Sequence, residues 1–71
     1  MNQEIRQKLA SNVKKLRVDK KLKREELSLL LGVDNSYISK LEKGKINITI
    51  DKLTLLADYF NVNIENLFKN K

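Results

Sequence analysis

Apolar residues recur along this chain at helical spacing. From residue 3 to about residue 20 they fall at Ile5, Leu9, Val13 and Leu16, steps of four, four and three that line one face of a helix. Lys8, Lys14, Lys15 and Arg17 fill its other faces. The Lys20-Lys21-Leu22-Lys23 stretch breaks the period, and a short second helix is predicted over residues 24–31, with Leu27, Leu30 and Leu31 inward. Glu25 and Glu26 stand in its first turn, where the helix dipole favours acids. A third helix, over about residues 35–43, directs Ile38 and Leu41 inward. A fourth begins after Thr49 with a core stripe of Ile50, Leu53, Leu56, Ala57 and Phe60, and a short fifth follows Asn63 with Ile64, Leu67 and Phe68. Val62 and Ile64 are β-branched, but the flanking asparagines and the short run argue against a strand.

The breaks between these stripes carry turn chemistry. Gly32 follows the last periodic leucine of the second helix and suits a left-handed cap; Gly44 suits the same role after the third. Asp34, Thr49 and Asn63 are placed as N-caps. Proline is absent and no linker or repeat divides the chain. The expected architecture is all-α: a compact five-helix single domain over residues 1–71, with a helix-turn-helix unit at about 24–43 and the last two helices, about 50–69, available for dimerisation.

Composition narrows the chemistry. A domain of 71 residues buries only about 60% of the surface its unfolded chain exposes, so self-association is an expected source of stability. Cysteine and histidine are both absent, which removes thiol chemistry, disulfides and the commonest catalytic acid–base; neither an enzyme nor a bound metal or cofactor is expected. No apolar run has signal-peptide or membrane-spanning length, so a cytoplasmic location without membrane contact is expected. The net charge of +6 favours a polyanionic partner. Residues 1–20 hold six basic and two acidic side chains, whereas residues 49–71 hold three of each, leaving the C-terminal end free to face another protein.

A short helix, a three-residue turn opening on glycine, and a second helix with a polar outer face form a helix-turn-helix signature. With Ile38 and Leu41 inward, Asn35, Ser36, Ser39, Lys40 and Lys43 face outward. Such a row suits a major groove, where asparagine can pair with adenine and lysine can reach guanine; it equally suits a solvated helix surface.

Taken in order, Leu16-Arg17, Glu26-Leu27, Leu31-Gly32-Val33, Tyr37-Ile38-Ser39-Lys40-Leu41-Glu42-Lys43-Gly44-Lys45, Leu53, Leu56-Ala57, Phe60-Asn61-Val62 and Leu67-Phe68 resemble the lambda-repressor/Cro (XRE-type) helix-turn-helix regulators over residues 9–68. That resemblance implies base contacts from Arg24, Asn35, Ser36 and Lys40, and contacts to the DNA backbone from Lys23, Tyr37, Ser39, Lys43, Lys45 and Asn47. It also implies a structural ion pair between Arg17 and Glu42. Two positions depart from the family pattern. Lys23 stands where Ser or Thr commonly caps the second helix, and no proline follows Asn47.

Leu55 and Tyr59, four apart and outside the core stripe, are expected to join Ile64, Leu67 and Phe68 in a dimer interface; the last three would equally serve to cap the monomer core. The expected function is a homodimeric regulator on double-stranded DNA with a near-palindromic operator. It would repress by covering a promoter or activate by touching RNA polymerase. Among stand-alone relatives, the Tyr37-Ile38-Ser39 and Asn47-Ile48-Thr49 stretches lean towards restriction-modification controller proteins over phage Cro-like repressors. The alternative is an antitoxin-like helical module that masks a protein partner and binds DNA secondarily. RNA binding is disfavoured, because no aromatic stacking platform is visible.

Overall fold

The computed structural model describes residues 1–70, and Lys71 lies outside the described residues. The chain forms α1 (Gln3–Asp19), α2 (Arg24–Leu31), α3 (Asn35–Leu41) and α4 (Ile50–Phe60), followed by a short 3-10 helix, Ile64–Phe68. Among the described residues there is no strand. The fifth helix is 3-10 rather than α, with Asn66 N–H bonded to Asn63 C=O at 2.9 Å, because its five residues offer too few i→i+4 bonds to close an α-helix. The third helix is shorter than its polar pattern suggested: Glu42 caps it, and the chain leaves through a turn at Gly44.

One core is shared by every element. Leu9 and Val13 of α1, Leu27 and Leu31 of α2, Ile38 and Leu41 of α3, four residues of α4 and Leu67 form a single buried cluster. Its Cα radius of gyration, 10.7 Å, is close to the roughly 11 Å expected of a compact chain this long. The periodic stripes overreach at their ends. Ile50 is 71% exposed, since it occupies the first turn of α4 and burial begins only at Leu53. Ile5 is likewise on the surface. Conversely, Ile48, a lone apolar residue in the connector before α4, is buried in the cluster.

Leu67 corrects the expected dimer surface. It is fully buried within the monomer, and Asn12 of α1 fastens the backbone around it by donating to Leu67 C=O and Lys69 C=O at 2.8 and 2.9 Å. Its side chain is enclosed by its own chain and is withdrawn from any interface. Phe68 is half-buried against the same core, while Leu55, Tyr59 and Ile64 remain exposed.

All four α-helices end alike. A residue with positive φ stands at Lys21, Gly32, Gly44 and Asn61, and the next N–H reaches back five residues. These bonds run from Leu22 to Arg17, Val33 to Ser28, Lys45 to Lys40, and Val62 to Ala57, at 2.9–3.0 Å. The motif satisfies carbonyls that the helix leaves unpaired, and Leu22, Val33 and Val62 pack on the core as they exit. Lys21 is the costly member, because a β-carbon strains the left-handed region by about 1–2 kcal/mol. Lys21→Gly is expected to stabilise the fold by about 0.5–1 kcal/mol after the added freedom of the unfolded chain is counted, measured by urea unfolding.

Candidate nucleic-acid interface

The connection between α2 and α3 is short because each residue in it has one task. Gly32, at φ +68°, turns the chain out of α2. Val33 packs on the core, and Asp34 starts α3 by accepting from Tyr37 N–H at 3.0 Å. The same Asp34 oxygen accepts from Ser36 Oγ at 2.6 Å. The Ser36 hydroxyl, then the Tyr37 amide, hold the Asp34 carboxyl below its ordinary value of 3.8. The start of α2 is less complete. Lys23 has no acceptor to offer, and only Glu26 contributes, accepting from Lys23 N–H at 3.0 Å.

Burial of Ile38 and Leu41 fixes the roll of α3. Asn35, Ser36, Lys40 and Lys43 are exposed as a result, and Ser39 is half-buried beside them. Tyr37 lies at the edge of this face, half-buried against the core, with Lys52 Nζ 6.0 Å from its ring centre; burial pushes its phenol above the usual tyrosine range. Asn35 is tied back to α2, since Ser28 Oγ lies 2.8 Å from its Oδ1. Residue order carries no sign of this bond, because it joins residues across the turn rather than along a helix face.

Beneath the far end of α3 lies Glu42, whose side chain is only 3% exposed. Arg17 of α1 approaches it with two nitrogens, Nε to Oε2 at 2.6 Å and Nη2 to Oε1 at 3.3 Å, and donates Nη1 to Leu22 C=O at 2.8 Å. Arg24, at the start of α2, adds a third contact from Nε to Glu42 Oε1 at 3.4 Å. One carboxylate therefore joins α1, α2 and α3. Because it offsets a single positive charge for two arginines, the half-exposed Arg24 leaves a surplus cation at the surface.

The chain after α3 is fastened by the first helix. Arg6 donates Nε to Gly44 C=O and Nη1 to both Met1 C=O and Asn47 Oδ1, each at 3.1 Å. The terminal amine reaches the same Asn47 oxygen at 3.3 Å, and Gln7 Nε2 donates to Lys43 C=O at 3.1 Å. Gly44 suits this turn because its φ is +75°, where a β-carbon is strained; one placed there would also displace the flexible end of Gln7, whose Nε2 it would meet at 2.6 Å. With the Asn47 oxygen engaged internally, its side chain presents the amide nitrogen as a donor, while Lys43 and Lys45 extend from the held loop into solvent. Helical periodicity gives Arg6 and Gln7 no role, because their partners in this loop lie 36 to 41 residues away.

The exposed residues Lys23, Arg24, Lys40, Lys43 and Lys45 thus border a small polar helix face. A side-chain amide and hydroxyls in the middle with cations at the rim can bind an anionic polymer through its phosphates and touch base edges between them. Among the described residues no cluster of acidic side chains has metal-binding geometry, and no helix is long and apolar enough to cross a membrane.

A sequence profile of the helix-turn-helix family matches residues 13–67. The control protein C.SmaI of Serratia marcescens is 31% identical over 64 residues, covering 90% of this chain and 76% of its own. The restriction-modification controller protein C.AhdI of Aeromonas hydrophila superposes with a TM-score of 0.78 at 30% identity, over 89% of this chain and 96% of its own. The hypothetical transcription factor NHTF from Neisseria gives a TM-score of 0.80 at 31% identity, over 92% and 75%. These relatives are named as control proteins and transcription factors, which favours regulation over the partner-masking module.

Removing the shared carboxylate tests its structural part. Glu42→Ala is expected to cost about 3–5 kcal/mol by leaving the buried Arg17 guanidinium without its partner, a large share of the roughly 4–10 kcal/mol available to a domain this size. Urea unfolding measures the loss, and a change under 1 kcal/mol would contradict the assignment.

Proposed function

The chain belongs to the helix-turn-helix family and is a DNA-binding transcription regulator, and we propose that it works as a homodimer reading a near-palindromic operator through α3. In this reading Asn35, Ser36, Lys40 and Arg24 meet base edges. Lys23, Tyr37, Ser39, Lys43, Lys45 and Asn47 meet the sugar-phosphate backbone. The observation that carries it is the outer face of α3, polar and unpacked, on a helix that Glu42 ties to α1 and α2.

The dimer is supported by the exposed apolar side chains of Leu55, Tyr59 and Ile64 on an end of the molecule whose charges balance. Half-buried Phe68 stands as the fourth member of the interface. A monomer of 25 × 23 × 21 Å has the size for two copies to set their α3 helices about 34–36 Å apart, one turn of the duplex. The role we favour is that of a restriction-modification controller, supported by similarity to C.SmaI and C.AhdI along nearly the whole chain. Promoter occupancy represses, and contact with RNA polymerase from a neighbouring site activates.

Two measurements test this reading. In binding to an operator selected from random duplexes, Asn35→Ala is expected to relax preference at one base pair in each half-site and cost about 1–3 kcal/mol, whereas Lys45→Ala weakens all sequences alike and lowers the salt slope by about one. Identical behaviour of the two variants would overturn the division of contacts. For the dimer, Tyr59→Asp is expected to shift sedimentation equilibrium towards monomer and to weaken operator binding while the helical circular dichroism is kept. A wild-type protein that sediments as a monomer bound to one half-site would overturn it.

A further inference from the structure

Ser28 is the polar residue that α2 buries, at 5% exposure, in a helix whose other buried positions are leucines. Its hydroxyl lies 2.8 Å from the Glu25 carbonyl oxygen, one turn back, and 2.8 Å from Asn35 Oδ1, across the turn on α3. The hydroxyl has one proton for these two oxygens, and giving it to the carbonyl would be enough for burial alone. Given to Asn35 Oδ1 instead, it ties down a side chain otherwise exposed to solvent.

We propose that Ser28 is a positioning residue for base recognition, its buried hydroxyl fixing which edge of the Asn35 amide meets the duplex. This rests on the reading of Asn35 as a base contact. An untethered asparagine amide can turn by half a revolution and exchange its acceptor for its donors, which suits several base edges about equally. Tethered at Oδ1, the amide keeps Nδ2 for an acceptor such as purine N7 and one oxygen lone pair for a donor such as adenine N6. Ser28 thereby converts a polar contact into a directional one without touching DNA. Alanine in its place keeps the β-carbon, so packing changes little.

The test compares wild type, Ser28→Ala, Asn35→Ala and the double variant by selection from random duplexes, with thermal melting alongside. Ser28→Ala is expected to lose about three- to ten-fold of the discrimination at the base pair governed by Asn35, the worth of one hydrogen bond, while melting and preference elsewhere hold. Added to Asn35→Ala, it should change nothing more. Full discrimination in Ser28→Ala while Asn35→Ala loses it would overturn the proposal alone. So would an even loss across all sequences that follows a lowered melting temperature. Undiminished discrimination in Asn35→Ala would instead remove the reading beneath it.

Discussion

The presentation of α3 depends on a carboxylate that water scarcely reaches. Glu42 closes α3 and takes Arg17 from α1 and Arg24 from α2, so the three helices meet at one charge. Burying a lone glutamate would cost several kcal/mol. Paired with a guanidinium that also donates to the Leu22 carbonyl, it becomes directional, since the planar fork accepts only a narrow range of helix orientations. Hydrophobic contact between Leu9, Ile38 and Leu41 holds the helices together with little preference for angle. The ion pair supplies that preference, and with it the direction of the polar face.

Around this point several polar groups and turn residues hold the loops in place. Four left-handed residues end four helices, and Arg6 and Gln7 bind the carbonyls that follow α3. A protein of this size has little free energy to lose in ordering a loop upon binding. In the proposed reading the segment after α3 meets phosphates, and it is held beforehand by α1, the element most distant from it in sequence.

Much of the fold could be read from residue order, for local reasons. Gly32 and Asp34 bracket a turn whose chemistry is contained within the turn itself, and the leucines of α2 and α4 repeat at helical spacing. What escaped was set by contacts distant in sequence. Periodicity gives the face of Ile50 but not how far its neighbours extend, and Ile48 carries no period at all. Lys21 takes a left-handed conformation that only packing of Leu22 and the Arg17 carbonyl can impose on a lysine. Leu67 could belong to core or interface by composition, and the bonds from Asn12 decided for the core. At the candidate interface, the exposed row on α3 followed from two buried positions, whereas the Ser28 and Arg6 contacts needed three dimensions to be seen.

The central claim, that the polar side of α3 enters the duplex, is tested most directly by amide chemical shifts during titration with a selected operator fragment. Contact through α3 predicts that the largest changes fall on residues 35–45, with Arg24 close behind and α4 affected only near its start. Changes concentrated on Leu55, Tyr59 and the terminal 3-10 helix, with residues 35–45 undisturbed, would contradict it.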